Sequence, residues 1–512
     1  MTVTIKLFPD TYVDSIVQLR GMRAMRAIDG VEWASAAMAT PANVETLQSE
    51  GVEPAEVSDA GSNDFFLVVR ATDDSVAAEA LAAGESAVTS SDRPDDGAAR
   101  PDTPHTLRDA LRGQQGTDVA VISVPGDYAA LAAYQALSAD LHVLLFSDNV
   151  PVDKEVALKD HALSRGRLLM GPGAGTSMLG GVGLGFANVV TPGPVGVVAA
   201  AGTGAQEAMS LLDRWGVGVS QVIGVGGRDL SSEVGGRMTA AAIAALREDP
   251  ATEVILFVSK PPSPEVAARV LAHAGETPLV AALIGLDAGF PAPDGVVLAG
   301  TLESGVTATL GRLGLNPPDT TVTSGPSVAE VVARLAPDRR VIRGLFSGGT
   351  LCYESLVILG RTVGEVHSNT PINKAWGLPA PDGSHQCLDL GEEEYTRGRP
   401  HPMIDPEARI ELLLEHAADP QVGVLILDVV LGHGSDPDPA KTLAPACEAA
   451  MADGGPQVVA YVLGTDHDPQ GLAEQRRRMV EAGCLVTETA ARASLVAAAI
   501  ATRDPGLASR PL

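Results

Sequence analysis

The chain has 512 residues, which is too long for one ordinary hydrophobic core and predicts two to four domains. Hydrophobic residues make up 45% of the chain, charged residues 20% and aromatic residues 3%, so we expect globular domains with cores of small aliphatic side chains. The net charge of −28 argues against nucleic acid or an anionic membrane as a partner, because phosphates would be repelled across most of the surface.

The cysteines and the N-terminus bear on location and on metal binding. The four cysteines form no CxxC pair, which disfavours a structural zinc site and fits a reducing cytoplasm. The first ten residues are neither basic nor followed by an apolar stretch, so we expect no secretory signal. No run of about 18 apolar residues indicates a membrane span. The sequence therefore predicts a cytoplasmic protein without a metal site.

Residues 1–84 predict a small α+β domain. Apolar strand patterns alternate with helical ones: strands at 2–7, 32–39 and 64–71, and helices at 12–28, 41–50 and 75–83. Residues 85–104 are rich in Pro, Ser and Asp and have little to bury, which indicates a solvated linker.

From Asp118 onwards, short apolar runs alternate with helical patterns. Such runs are typical of parallel strands that helices cover on both faces. The runs lie at 119–124, 142–146, 195–201, 220–225, 253–258, 279–285 and 295–300 and, after a break at 316–320, at 341–346, 422–429, 457–464 and 484–488. We therefore predict a series of doubly wound α/β domains.

The segment VVAAAGTGAQE (197–207) aligns without a gap on GLFSGGTLCYE (344–354). Further along, Asp249-Pro250 before one strand matches Asp419-Pro420 before another. In both copies an apolar strand runs into Gly-Thr and then into a helix. This pattern predicts a duplicated α/β domain.

The Gly-Thr positions suggest anion binding. Glycine allows a sharp turn at the end of the strand, and the first turn of the next helix offers unpaired N–H groups and the positive end of the helix dipole. A phosphate or acyl phosphate can bind there without a lysine. The alternative is that Gly-Thr only caps the helix, but two equivalent copies favour a function. The predicted ligands are Gly202, Thr203, Gly204, Gly348, Gly349 and Thr350.

The sequence resembles known proteins over nearly its whole length. Residues 117–301 resemble the α subunit of succinyl-CoA synthetase, through VPGDY, GPGAG, TPGPVGVVAAAGTGAQEAM, IGVGGRD and DPATEVILFVS. Four further motifs make the whole chain similar to the FdrA family of the acyl-CoA synthetase superfamily: MATPAN, GLFSGGTLCYES, GRPHPMIDPEAR and LDVVLGHGSDPDPA. The resemblance implies a partial CoA-binding, Rossmann-like domain at 105–190 and two flavodoxin-like ligase domains at 191–316 and 321–512.

Several departures from the synthetases matter for function. The stretch GVVLAGT (295–301) has no histidine where the synthetases carry a phosphohistidine. The N-terminal domain and linker occupy the region of the Gly-rich CoA loop, and an ATP-grasp domain is absent. Within the FdrA family, the loop after Gly171-Pro172 usually carries polar residues, where this chain has Gly173-Ala174. A covalent phosphohistidine is therefore not expected, and CoA or a nucleotide is expected only through partner subunits.

FdrA-type proteins are associated with purine-ureide catabolism as part of a multi-subunit oxamate carbamoyltransferase. The resemblance therefore implies an oligomeric transferase subunit that acts with other proteins on carbamoyl phosphate or another acyl phosphate and requires no cofactor of its own. Transfer from such a mixed anhydride needs orientation of the substrate and stabilisation of the departing phosphate. Two alternatives stay open: a nucleotide-dependent acyl-CoA synthetase, and a non-catalytic scaffold that keeps the fold.

The loop TRGRPHPMID (396–405) holds the predicted catalytic residues. Arg397 and Arg399 can bind phosphate or carboxylate through paired N–H groups. His401 can shuttle a proton or donate to a developing negative charge. The alternative is a rigid, proline-braced turn in which Asp405 caps the next helix and His401 is structural.

The supporting residues have competing structural interpretations. Glu207 and Glu354 lie on the first turn of their helices, where an acid can simply compensate the dipole. His433 and Arg228 lie in loops that follow apolar strands, and Arg228 is a candidate anion ligand. Two further residues, Asp428 and Cys352, are expected to be structural: Asp428 would be costly to bury unpaired and is expected to bond to a neighbouring helix start.

Overall fold

The computed structural model describes residues 2–13, 15–49, 60–89, 104, 106–260, 262–286, 289–396 and 400–512. The chain forms two compact units, one of residues 1–103 with 392–401 and one of residues 104–391 with 402–512.

The first unit contains a three-stranded antiparallel sheet in the order β1-β3-β2, with helices between its strands. Strand β3 is central and is buried on both faces, with the Phe65 and Leu67 side chains on one face and the Phe66 and Val68 side chains on the other. Its elements are β1 (Thr2–Phe8), α1 (Ser15–Arg26), β2 (Val31–Met38), α2 (Pro41–Ser49), β3 (Phe65–Ala71) and α3 (Asp74–Thr89). The predicted small α+β fold is confirmed, but α3 extends to Thr89, into the segment predicted as linker.

The second unit begins with a small parallel sheet in the order β4-β5-β6. It corresponds to the predicted partial Rossmann-like part. Its elements are α4 (Leu107–Gly113), β4 (Val119–Ile122), α5 (Gly126–Ser138), β5 (His142–Leu145), α6 (Val152–Ser164) and β6 (Leu169–Met170).

A seven-stranded sheet follows, in the order β13-β12-β11-β9-β10-β7-β8. Its five parallel strands have the flavodoxin-like order 2-1-3-4-5 when they are counted from β9. Its elements are β7 (Thr176–Leu179), β8 (Val182–Gly185), β9 (Pro192–Ala199), α7 (Gly202–Arg214), β10 (Val219–Gly224), α8 (Arg237–Glu248), β11 (Val254–Ser259), α9 (Pro264–Leu271), β12 (Leu279–Leu283), β13 (Val296–Ala299) and α10 (Leu302–Arg312).

A second seven-stranded sheet has the order β14-β20-β19-β18-β15-β17-β16. Counted from β15, the strands β17-β15-β18-β19-β20 repeat the order 2-1-3-4-5. Its elements are β14 (Thr323–Ser324), α11 (Val328–Arg334), β15 (Val341–Phe346), α12 (Gly349–Thr362), β16 (Val366–His367), β17 (His385–Asp389), α14 (Glu407–Ala418), β18 (Val422–Val430), α15 (Pro439–Met451), β19 (Gln457–Leu463), α16 (Leu472–Glu481), β20 (Leu485–Thr487) and α17 (Ala490–Thr502), while α13 (Glu393–Thr396) belongs to the first unit.

The shared strand order supports the domain duplication that the repeat predicts, and every apolar run predicted as a strand overlaps one. The sequence analysis did not find β7 and β8, which form an antiparallel hairpin and extend the first large sheet. This hairpin falls within residues 105–190, so part of the segment predicted as Rossmann-like pairs with the ligase sheet instead. The other predicted domain boundaries stay predictions.

The two ligase-like halves share one continuous apolar core, which includes Val197 of β9, Leu351 of α12 and Val496 of α17. Polar contacts add to this core. Asn188, between β8 and β9, donates its side-chain amide to Leu431 O at 3.1 Å and to Asp468 Oδ2 at 2.8 Å. The halves therefore form a single body on which a site can be built.

In the part of the chain that the structure describes, no helix has both the length and the apolar character that crossing a bilayer requires.

Candidate functional site

The two Gly-Thr helix starts meet face to face. The backbone N–H of Thr350, at the start of α12, donates to Thr203 Oγ1, at the start of α7, at 3.3 Å. A methyl group on Gly204 would lie 2.9 Å from Thr350 Cγ2, and one on Gly348 would lie 2.8 Å from Thr203 Cγ2. The two starts are therefore packed against each other, with glycines at the closest points.

The pair lies where flavodoxin-like sheets place their ligands. Helix α7 follows β9 and helix α12 follows β15, and each of these strands occupies the position where the strand order reverses. The carboxyl ends of strands at such a switch point border a crevice, because the neighbouring connections leave to opposite faces of the sheet.

The start of α12 is already occupied by a carboxylate of the chain itself. Buried Asp428, on β18, accepts the backbone N–H groups of Ser347 and Gly348, each at 2.8 Å. Arg409 donates to the Asp428 carboxylate at 2.8 Å and to its carbonyl oxygen at 2.7 Å. The expectation that Asp428 bonds to a neighbouring helix start is confirmed.

This arrangement changes the prediction for the second Gly-Thr motif. The N–H of Gly348 is taken by Asp428 and that of Thr350 by Thr203. The carboxylate of Asp389 also lies beside Gly349. Gly348 and Thr350 are therefore not ligands for an external anion through their N–H groups, because an internal anion and a hydroxyl already use them.

The start of α7 differs in this respect. In the repeat alignment Val258 takes the place of Asp428, and its side chain faces Gly204. No side-chain hydrogen bond caps α7 among the described residues, and Gly202 is partly exposed. Its first N–H groups therefore remain available to a ligand.

A second observation marks the same place. Thr176, on β7, is 2% exposed, and its hydroxyl has no hydrogen-bond partner in the described part of the chain. A methyl group at Gly202 would lie 4.0 Å from this hydroxyl. A buried hydroxyl without a partner is costly, so one that lies next to open helix N–H groups indicates a missing acceptor such as an anion.

Two glycine turns pack around this helix start. Gly171 has a φ of +117° and Gly226 a φ of +88°, and a side chain on Gly226 would collide with the backbone at Gly171 and Pro172. The GPGAG and IGVGGRD turns therefore lie together, at the carboxyl ends of β6 and β10, and bring backbone close to the α7 start.

Lys260 supplies a positive charge that the sequence analysis missed. It follows β11, and its ammonium lies 3.9 Å from Asp389 Oδ2. A methyl group added to Gly349 would lie 3.0 Å from the same ammonium. Its side chain is 35% exposed, so a ligand can reach it. Its position directly after an apolar strand was the signal that could have identified it.

Glu207 and Glu354 reach across to the opposite half. Glu354 Oε1 accepts the N–H of Leu302, at the start of α10, at 2.6 Å. Glu207 accepts the hydroxyl of Tyr461 at 2.5 Å and, at 3.5 Å, the N–H of Ala490 at the start of α17. Each buried glutamate therefore binds a helix start of the other repeat and supports the paired architecture.

Burial controls the ionisation of both glutamates. The pKa of Glu354 is raised to about 8, chiefly by burial; the Leu302 N–H acts to lower it, and the nearby carboxyls of Glu207 and Glu303 act to raise it. Burial raises the pKa of Glu207 to about 7, against the lowering effect of the Tyr461 hydroxyl. Both side chains therefore carry protons over much of the range in which a free carboxyl is ionised.

Arg228 takes part in a structural cluster. Its guanidinium donates to Val150 O at 2.6 Å and lies 2.9 Å from Glu155 Oε2. Glu155 and Asp229 both accept from fully buried Lys159 at 2.8 Å. Arg228 therefore helps to fix the IGVGGRD turn to α6, while its side chain is 43% exposed, and its role as an anion ligand stays a prediction.

The other predicted residues lie in different settings. His433 is exposed, and its backbone forms an isolated bridge with Ala187. His401 belongs to the first unit, whereas the helix starts belong to the second, and Arg397 and Arg399 lie outside the described residues. Burial raises the pKa of Cys352 well above its usual value, which agrees with a structural thiol.

Comparison with known proteins identifies the family of the chain. A family model described as CoA-ligase matches residues 345–500, and one described as AllF, heavy metal-associated domain, matches residues 1–104. YahF of Escherichia coli is 39% identical over 97% of this chain and 98% of its own length. The chain belongs to the FdrA family.

More distant relatives match in part. The α subunit of the ADP-forming succinate–CoA ligase of Aquifex aeolicus is 28% identical over 36% of this chain and 61% of the relative. The dinucleotide-forming acetyl-coenzyme A synthetase 1 of Candidatus Korarchaeum cryptofilum, solved with phosphate and ADP, is 17% identical over 76% of this chain and 84% of its own, with a TM-score of 0.31. The CoA-ligase model and the succinate–CoA ligase relative show that this FdrA-family chain has a ligase fold of the succinyl-CoA synthetase type.

We predict that Gly204→Ala destabilises the second unit by about 1–3 kcal/mol, because the added methyl group would press on Thr350 and Val258 in a packed core. Gly202→Ala is the matched control, since its nearest neighbour would lie 3.9 Å away. Thermal unfolding followed by circular dichroism compares the two. Equal melting temperatures would refute the close packing of the helix starts.

We predict that Thr176→Val weakens inorganic phosphate binding about 10- to 100-fold, because it removes a hydrogen bond to a charged ligand. The same change should leave the melting temperature equal or higher, since it removes an unpartnered buried hydroxyl. Isothermal titration with phosphate measures the affinity, and Thr176→Ser, which keeps the hydroxyl, should bind normally. Unchanged affinity in Thr176→Val would show that the hydroxyl does not face the anion.

We predict that Glu354→Gln flattens the dependence of stability on pH. Because the folded pKa is raised, the protonated carboxyl stabilises the fold fully below about pH 4.5, and this contribution is lost as the pH rises towards 8. The loss is about 1.4 kcal/mol per pH unit for one group. Gln keeps an acceptor for Leu302 and cannot ionise. Melting temperatures at a series of pH values between these limits test this, with exposed Glu448→Gln as control. If the melting temperature depends on pH equally in Glu354→Gln and in the wild type, the prediction is wrong.

Proposed function

We propose that this chain is the anion-holding subunit of a phosphate-linked carbamoyl or acyl transferase of the oxamate carbamoyltransferase type, which works in the cytoplasm with partner subunits. The observation that carries the proposal is the asymmetry of the two helix starts. The α12 start holds the internal carboxylate of Asp428, while the α7 start is uncapped and faces the unpartnered hydroxyl of Thr176. Such an arrangement suits one phosphate group.

In the proposed reaction, the amide nitrogen of oxamate attacks the carbonyl carbon of carbamoyl phosphate. The bond from that carbon to the bridging oxygen breaks, phosphate leaves with the bonding electrons, and the nitrogen loses a proton to give oxalurate. The N–H groups of Gly202, Thr203 and Gly204 would stabilise the departing phosphate, and the Thr176 hydroxyl would donate to it. The Lys260 ammonium would offset its negative charge.

The roles predicted for the 396–405 loop form a separate proposal, because this loop includes residues of the first unit. Arg397 and Arg399 would bind phosphate or carboxylate, since guanidinium groups pair with such anions through two parallel N–H groups. His401 would shuttle a proton. No cofactor in this chain is needed for transfer from a mixed anhydride, and CoA or a nucleotide would enter only with a partner.

We predict that the assembly isolated through the tagged full-length chain converts carbamoyl phosphate and oxamate to oxalurate and phosphate, and that the purified chain alone does not. Thr176→Val should lower kcat/KM by about 10- to 100-fold, because the departing phosphate loses a hydrogen bond, while Thr176→Ser should keep it. Phosphate release and chromatography of oxalurate measure both. If the complete assembly releases no phosphate with any small amido acid, the proposal fails.

A second candidate is a nucleotide-dependent acyl-CoA synthetase, which the CoA-ligase match over residues 345–500 favours. The absence of a histidine in residues 295–301 opposes a phosphohistidine relay in this chain. Measurable CoA binding, or a ³²P-labelled histidine after ATP treatment, would support this candidate. If the chain binds neither phosphate nor CoA, a scaffold role follows.

A further inference from the structure

Strand β4 and helix α5 expose a cluster of large apolar side chains. The exposed fractions are 55% for Val121, 39% for Val124, 70% for Tyr128, 65% for Leu131 and 52% for Tyr134. The whole chain has only six tyrosines, and two of them lie on this single helix face. Scattered exposed apolar residues are ordinary, but five within one strand–helix segment of 14 residues mark an interaction surface. These five residues define the β4–α5 surface.

The strand in this surface lies at an edge of its sheet. In the order β4-β5-β6, β4 pairs on one side with β5 and has no strand on its other side among the described residues. Parallel strands are normally covered on both faces, as β11 is, but β4 is exposed at Val121 and only partly buried at Val119 and Ala120. An uncovered parallel edge of this kind is a template for pairing with another strand.

The surface is also poor in charge. Along α5 the exposed residues are Asp127, Tyr128, Leu131, Tyr134, Gln135 and Ser138, of which Asp127 alone is charged. The chain as a whole has a net charge of −28. Two copies therefore repel each other across most of their surfaces and repel least where they meet through this face.

We infer that the β4–α5 surface joins two copies of this chain across a two-fold axis. A two-fold interface uses the same patch on both subunits, so α5 would pack on α5 of the second copy. Antiparallel pairing of the two β4 edges would join the two three-stranded sheets. The inference concerns assembly and does not depend on the proposed reaction.

The available area fits a dimer. An aromatic side chain offers about 150–250 Å², so the two tyrosines expose about 250 Å² per copy, and the three aliphatic side chains bring the total to about 500 Å². Two copies would then bury about 1,000 Å² from these side chains alone, which reaches the lower limit for a biological interface. A groove of about 930 Å³ between α4 and α5, lined in part by Tyr134 and Gln135, can receive side chains of the second copy.

Sedimentation velocity of the purified full chain over a wide concentration range tests the inference. We expect a reversible dimer, and we expect Leu131→Asp to weaken its dissociation constant about tenfold or more, because the new charge would lie in the centre of an apolar interface. Val182→Asp is the matched control: Val182 is 61% exposed but lies on β8, outside the surface. Circular dichroism confirms that both variants fold.

A second experiment maps the contact directly. The four native cysteines are buried, so a single added thiol dominates disulfide formation at the surface. Leu131→Cys should give a covalent dimer under mild oxidation, and Val182→Cys should not. A monomeric wild type at every concentration overturns the inference, as does a dimer that Leu131→Asp leaves unchanged. A monomer that expands on Leu131→Asp would show that another part of the same chain covers the surface, which also overturns it.

Discussion

The contact between Thr203 and Thr350 sets the main constraint on this molecule. It brings the N-termini of α7 and α12 together, and both carry the positive end of a helix dipole. Two like ends at this distance repel each other unless negative charge lies between or beside them. The fold supplies that charge at one end through Asp428 and leaves the other end open. The need to neutralise a pair of dipoles thus accounts for the internal carboxylate at α12, and negative charge would also be stabilised at the uncapped α7 start beside Thr176.

Duplication followed by divergence accounts for this asymmetry. Both halves have the strand order 2-1-3-4-5, and both carry a glutamate four residues after the Gly-Thr threonine. The architecture has kept its symmetry where it holds the halves together, since Glu207 and Glu354 cross to the opposite helix starts. It has lost symmetry beside the helix starts, where Val258 takes the place in the first repeat that Asp428 has in the second. The packing contacts therefore use both copies in the same way, whereas the internal carboxylate is found in one.

Local patterns explain what the sequence could predict. Apolar runs revealed the parallel strands, and the Gly-Thr repeat located the helix starts, because both signals lie within a few residues. The roles of Thr176, Arg228 and Lys260 depend on partners far away in the chain. Arg228 is bound by Glu155, about 70 residues earlier, and Thr176 is informative only because it has no partner among the described residues. Lys260 carried a local signal, its place after β11, but that signal is weaker than a glycine motif.

The crossed glutamates also bear on the segment 295–301, which contains no histidine. This segment leads directly into α10, and Glu354 binds the first N–H of that helix. A glutamate that stays protonated to about pH 8 is a poor partner for a cationic or phosphorylated side chain, but it is a good buried hydrogen-bond partner for backbone. The segment is thereby fixed as structure. A phosphate bound at the α7 start, as proposed, would find no histidine in this segment to receive it covalently, which agrees with a role as a leaving group.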